Sequence, residues 1–393
     1  MQDLHPECVL TEQSWDLFRS YAARVQSLTY DEVEPSDGIS NVLIARAFEV
    51  HPRGILPNLR AVDWHIAEPG LRHPLAFCPP SLKRMVLHLG DDESLTESAK
   101  RLLCDLSSSL TNRLKYLKFG TSSSSFQDAE LATALAAFLN VQNGLLELKL
   151  SHYLIQDTVV VSTVCQASPH LRTFSADVLD VTREMFQEIL GALARRSESL
   201  RCVWLTRTGS DLWDETISLA DIEPMLQLTV IEDIRLWLEG KLELTPLDIR
   251  QMGQAWLGLT SLILHPYGGP GIPLPHLATF AQWFPALQRF AASFDCPEDI
   301  PSADEVSSRF KSLFRLTWLH AQIADSQRVR ARVAEFLAVV LGPKAELRFR
   351  KYGPDSYQTL NEVSPWEAGS GNKELQDLID AFYRVRKAID RMQ

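Results

Sequence analysis

One phrase limits what this chain can fold into more than anything else in it: apolar, two residues of any kind, apolar, one of any kind, apolar. It is clearest at Leu59, Val62 and Trp64. With 45% apolar residues, three such positions coincide by chance at roughly one site in ten, so a single match carries nothing. Spacing carries the weight. The phrase returns at Val25/Leu28/Tyr30, Leu82/Met85/Leu87, Leu114/Leu117/Phe119, Leu145/Leu148/Leu150, Leu171/Phe174/Ala176 and Leu200/Val203/Leu205. It continues at Ile231/Ile234/Leu236, Leu259/Leu262/Leu264, Leu287/Phe290/Ala292 and Leu313/Leu316/Trp318, with a degenerate twelfth at Lys344/Leu347/Phe349. From residue 25 to residue 313 there are ten steps of about 29 residues each. A unit of that length holds one short strand and a return arm, and it can bury its apolar face only against its neighbours.

The expected fold class is therefore α/β, a leucine-rich-repeat-like solenoid: an open curved strand-helix array with helical caps. The boundaries follow the rhythm: a capping helix over residues 1–24, a divergent repeat array over 25–351, a linker over 352–372 and a C-terminal helix over 373–393. Thr11 is placed to cap a first helix with Trp15, Phe18 and Ala22 on one face. Residues 31–40 read as an acidic turn and 39–50 as a helix. The short step after Leu59, with Pro69, Gly70, Pro74, Pro79 and Pro80, reads as irregular. Ala99, Leu102, Leu103, Leu106 and Leu110 have helical spacing, as do Leu131, Leu135, Phe138 and Leu139. Thr182 is a candidate N-cap for a helix carrying Met185, Ile189 and Leu193. Thr245-Pro246-Leu247-Asp248 is a stronger start signal, with Ile249, Met252 and Trp256 inward. Pro266 to Pro275 reads as a loop, Ser122 to Ser125 as a polar loop, and Ser326 as the start of a helix with Val329, Val333, Phe336, Leu337 and Val340 inward. In the last helix Leu378, Phe382 and their neighbours make one stripe, suited to docking over the end of the array.

Composition removes several functions. With 39 Lys+Arg against 50 Asp+Glu the net charge is -11, which opposes the phosphate neutralisation that nucleic-acid binding rests on. The six cysteines contain no C-x-x-C pair, so neither a disulfide framework nor a zinc site is indicated, and no metal or cofactor is expected. No run of 18 apolar residues and no basic leader is present, so no membrane association is expected and an intracellular location, cytoplasmic or nuclear, is. Ten histidines occur without H-E-x-x-H, and G-x-S-x-G and a P-loop are also missing, so no catalytic residue is assigned and a non-enzyme is expected.

Leu10-Thr11-Glu12-Gln13-Ser14-Trp15, Tyr21 to Leu28, His51-Pro52-Arg53-Gly54-Ile55-Leu56-Pro57-Asn58-Leu59 and Cys78-Pro79-Pro80-Ser81-Leu82 resemble the repeat region of fungal F-box/leucine-rich-repeat proteins, over residues 10 to 90. The resemblance implies a protein-binding scaffold that recruits substrates to an SCF-type ubiquitin ligase. About ten residues precede the first helix, too few for an F-box, so binding of the Skp1 adaptor by this chain is not expected. The alternatives are an enzyme whose site assembles only in the fold, or a degenerate structural relative.

If the first, fourth and sixth positions of each phrase point inward, the two-residue period of a strand turns the third, fifth and seventh outward. Across neighbouring strands those positions hold Trp204, Arg235, Trp237, Ile263, His265, Arg289 and Arg315. These residues are the expected partner-binding set on the concave face, for a protein of unknown identity. Trp and Arg are the types most enriched at binding hot spots.

Overall fold

The computed structural model describes residues 12–31, 55–66, 78–90, 95–110, 113–121, 129–151, 158–179, 181–196, 198–208, 216–268, 271–297, 299–322, 327–341, 345–350 and 373–392. The chain divides into two compact units, Met1–Leu179 and Asp180–Gln393. The N-terminal unit runs α1 (Glu12–Ala22), β1 (Ser27–Asp31), β2 (Ala61–Ile66), β3 (Arg84–Leu89), α2 (Leu95–Ser109), β4 (Tyr116–Thr121), α3 (Ala129–Asn140), β5 (Glu147–Ser151), α4 (Thr158–Ala167) and β6 (Thr173–Leu179). Its strands lie side by side in sequence order, and each of the ladders from β1–β2 to β5–β6 is parallel.

The C-terminal unit runs α5 (Arg183–Ala194), β7 (Cys202–Thr208), β8 (Thr216–Ile217), α6 (Leu219–Ile222), β9 (Asp233–Leu242), α7 (Pro246–Ala255), β10 (Ser261–Gly268), β11 (Ile272–Pro273), α8 (His276–Trp283), β12 (Arg289–Asp295), β13 (Arg315–Gln322), α9 (Gln327–Val340), β14 (Glu346–Arg350) and α10 (Lys373–Met392). Here the order is β7-β9-β10-β12-β13-β14, with β8 beside β9 and β11 beside β12. Each unit is thus an open row of parallel strands with helical return arms. The fold is an α/β leucine-rich-repeat-like solenoid.

Every apolar phrase of the sequence coincides with one rung of these ladders. Leu59, Val62 and Trp64 are buried, as are Leu117 with Phe119, Leu148 with Leu150, and Leu316 with Trp318. Partners share a register, so Val62 faces Met85 and Met85 faces Leu117. Aligned apolar columns therefore run through each unit, and each large side chain so buried is worth about 1.5–3 kcal/mol. Buried tryptophans also place their polar edge: Trp256 Nε1 donates to the Met225 carbonyl at 3.0 Å and Trp318 Nε1 to that of Phe294 at 3.2 Å. Arg207 breaks the pattern, since it pairs with Leu238 in the core register and is buried. Its guanidinium lies 5.5 Å from the Phe186 ring and donates to the Val181 carbonyl at 3.4 Å.

Two backbone devices repeat and fix where each strand begins. The first apolar N–H of a phrase closes a turn onto the carbonyl three residues back, at Leu59, Leu82, Leu145, Leu171, Ile231, Leu259 and Leu287. Just after it, one carbonyl accepts two successive N–H groups from the next strand. Arg60 serves Lys83 and Arg84, Lys83 serves Lys115 and Tyr116, Glu232 serves Thr260 and Ser261, and Thr260 serves Gln288 and Arg289. These bonds satisfy backbone groups before the ladder starts, and they set the register that a slip of one residue would invert.

The return arms form where the apolar spacing places them. Leu102, Leu103 and Leu106 of α2 are buried, as are Leu131, Leu135, Phe138 and Leu139 of α3. Thr182 Oγ1 accepts from the Met185 N–H, and Thr245 with Asp248 forms a reciprocal capping box. Leu378 and Phe382 of α10 are buried, α10 lies against α9, and Arg386 donates to the Ala345 carbonyl at 2.5 Å. In α1 the expected stripe is only partly buried, with Ala22 enclosed and Phe18 exposed. The turn at 31–40, the helix at 39–50, the Ser122–Ser125 loop, the linker at 352–372 and the capping Thr11 and Ser326 lie outside the described residues, apart from Asp31 at the end of β1.

Pro266 to Pro275 is not simply a loop. β10 continues to Gly268, and Ile272–Pro273 forms β11 against Phe294 and Asp295. The β10–β12 ladder covers Ser261 to Leu264, whereas the β10–β9 ladder runs on to Gly268. Pro266 thus lies where the strand is laddered to β9 alone, which a residue without an N–H tolerates.

Candidate functional site

The face of each sheet turned away from the core is built from alternate strand residues, and register sorts them into rows. In the C-terminal unit the first row is Cys202, Asp233, Ser261, Arg289, Arg315 and Glu346; the second is Trp204, Arg235, Ile263, Ala291, Thr317 and Arg348. Thr206, Trp237 and His265 lie two residues further along. All seven residues singled out from the sequence share this face. They do not share one environment.

Trp237 and His265 are 7% and 1% exposed, and their rings stack at 4.6 Å between centroids and 6° between planes. Trp237 joins Ala291 and Leu319 in a small apolar cluster on this face, with Ile263 against it. These two aromatic residues are therefore interior. Trp204, Arg235, Ile263 and Arg315 are half-buried, and Arg289 is exposed.

The Arg235 guanidinium lies 4.0 Å over the Trp204 ring. It also donates to both carboxylate oxygens of Asp233, from Nη2 at 2.9 Å and Nε at 3.2 Å. The two-point pairing fixes the orientation of its plane, and the ring beneath fixes its height. Arg289 Nη2 is 3.8 Å from the same carboxylate, while Arg315 and Arg348 approach Glu346 at 3.7 and 2.9 Å. The result is an aromatic and guanidinium platform, bordered by apolar Ile263 and by arginines.

The N-terminal unit carries two groupings that reading the sequence missed. Arg84 lies 3.7 Å over the Tyr116 ring, its register partner. Further along the strands, Asp63, His65 and His88 converge, with ligand-competent atoms all within 4.8 Å of one another. His65 and His88 are register partners whose ring centroids are 4.4 Å apart. Gly120 is the register partner of His88 on β4; a Cβ there would come 3.2 Å from the Ser151 Cβ and into ordinary contact, 3.5 Å, with the His88 Nδ1. Burial pushes the His88 pKa down to about 4, helped by Lys118 and His65 and opposed by Asp63. The signal was present as Asp63-x-His65 and His88 at outward positions of adjacent phrases.

No family model matches this chain, and no curated protein matches it. Among solved structures it is similar to the leucine-rich-repeat-containing protein LegL7 from Legionella pneumophila, at 13% identity over 81% of this chain and 97% of that one, with a TM-score of 0.44. It is also similar to an internalin, InlF, from Listeria monocytogenes, at 12% identity over 84% of each chain and a TM-score of 0.36. A third similar structure is the yeast Rad7 and Elc1 complex, at 11% identity over 64% of this chain and 69% of that one, with a TM-score of 0.36. None of these TM-scores reaches 0.5, and the fold rests on the strand ladders themselves.

Proposed function

We propose that this chain is a protein-binding scaffold and not an enzyme, and that its contact surface is the non-core face of the C-terminal unit, centred on Trp204 and Arg235. One observation carries the reading: Arg235 is held over the Trp204 ring by its two-point pairing with Asp233 while both keep part of their surface in solvent, the Arg235 side chain 14% of it. Such a pair offers flat contact area whose ordering cost is already met, which favours binding. Ile263 supplies an apolar neighbour, and Arg289, Arg315 and Arg348 border it, so the fitting partner presents an apolar anchor flanked by carboxylates. A role in substrate recognition within an SCF-type ubiquitin ligase rests on the resemblance of residues 10 to 90 alone. In that reading this chain by itself does not bind Skp1, and co-elution of the two purified proteins would contradict it.

The test is affinity capture with the full chain, quantified against Trp204→Ala, Arg235→Ala and, as a control, Leu257→Ala, which lies exposed at the turn after α7. Truncating a hot-spot residue costs about 2 kcal/mol or more, roughly a thirtyfold loss of affinity. Partners kept by Leu257→Ala and lost by both platform variants are expected. A captured set indifferent to Trp204 and Arg235 would move the interface elsewhere.

A further inference from the structure

We propose that Asp63, His65 and His88 bind one divalent transition-metal ion of the zinc class, at a site independent of the protein-binding face. The donors are two imidazoles and one carboxylate on adjacent parallel strands, whose in-register backbones hold the three Cα positions fixed. His65 Nε2 is 3.6 Å and His88 Nε2 4.0 Å from Asp63 Oδ1. A tetrahedral ion about 2.0–2.1 Å from each ligand atom holds those atoms roughly 3.3 Å apart, so small side-chain rotations close the set.

A second observation points the same way. Asp63 Oδ1 is shut off from solvent and accepts no hydrogen bond, and both imidazole nitrogens stand beyond hydrogen-bond reach of it. A carboxylate oxygen in that condition costs stability unless a cation or donor meets it. The donor set selects the ion. Calcium takes six to eight oxygens, and one carboxylate with two imidazoles does not supply them, whereas imidazole nitrogen suits zinc, copper and nickel. Three protein ligands leave a fourth position, and the half-exposed side chains of all three residues leave it open to water or to a donor from another molecule. Lys118 stands two strands from Asp63 in the same row, with Val86 between. Its ammonium competes for the carboxylate, so the affinity falls below that of a closed four-ligand structural site.

The experiment uses the untagged full chain, freed of metal by chelator. Co2+ is titrated by its visible absorption, and Zn2+ by competition and calorimetry. One Co2+ per chain, displaced by Zn2+, is expected. His65→Ala and His88→Gln should each weaken Zn2+ binding at least about tenfold, the loss that removing even an outer-shell partner produces. His170→Ala, at an exposed turn, should leave the affinity unchanged. Circular dichroism shows which variants fold. Zn2+ should also raise the melting temperature of the unmodified chain in a concentration-dependent way, a shift that a folded His88→Gln chain lacks. No saturable binding, or one-to-one binding that survives both histidine variants, overturns the site.

Discussion

Trp204 and Trp237 sit on the same face of neighbouring strands, yet their substitutions should fail in different ways. Trp237 is stacked on His265 and enclosed with Ala291 and Leu319, so Trp237→Ala should destabilise by about 3–5 kcal/mol through the cavity it leaves. Trp204→Ala, at a partly exposed position, should lower the urea midpoint clearly less than Trp237→Ala does and lose the partner. Equal midpoints for the two variants would mean that burial does not separate them. Thiols divide by the same logic. Burial pushes Cys78 up to about 12, and burial with the neighbouring Asp295 charge pushes Cys296 to about 12. At pH 8 the reactive thiolate of each is then on the order of one part in ten thousand. Alkylation followed by peptide mapping at pH 8 should therefore label exposed Cys104 well before either. Rapid labelling of Cys78 or Cys296 would contradict the assigned burial.

At the scale of elements, helix contacts carry the sharper predictions. A Cβ on Gly253 of α7 would lie 2.5 Å from the Cβ and 2.7 Å from the carbonyl oxygen of Trp283, at the end of α8. Gly253→Ala should thus cost about 1–3 kcal/mol by forcing α7 and α8 apart, although alanine is the better helix former. A rise in melting temperature would refute that close approach. Deleting residues 373–393 removes Leu378 and Phe382 from α9 and should lower both solubility and melting temperature. An unchanged melt would end the capping reading of α10. The strands were legible because each phrase repeats a local pattern, and α7 because Thr245, Pro246 and Asp248 state its start chemically. What escaped was contact between distant residues. β11 is two residues long and exists only because Ile272 finds Phe294, while the burial of Trp237 depends on residues of other strands such as Leu319. Asp63, His65 and His88 become a cluster only once the β2–β3 register is known, since Asp63 and His88 are 25 positions apart.

For the whole molecule, the balance of charge sets a limit that local patches have to overcome. Arg289, Arg315 and Arg348 gather on one face, an arrangement that also suits phosphate. Asp233 and Glu346 already pair with these arginines, and the chain as a whole carries -11. A polyanion approaching that face is repelled by the protein at long range and finds its cations partly neutralised at short range. An acidic protein partner faces the same long-range repulsion but brings only a few charges and can add apolar contact at Trp204 and Ile263. Electrophoretic titration of a 20-base-pair duplex in about 150 mM salt, a condition in which the Debye length is about 8 Å, should therefore show no shift up to tens of micromolar protein. Saturable binding that weakens steeply with added salt and is lost in Arg289→Ala with Arg315→Ala would mean that these arginines release phosphate counterions. The face would then have to be reassigned to nucleic acid.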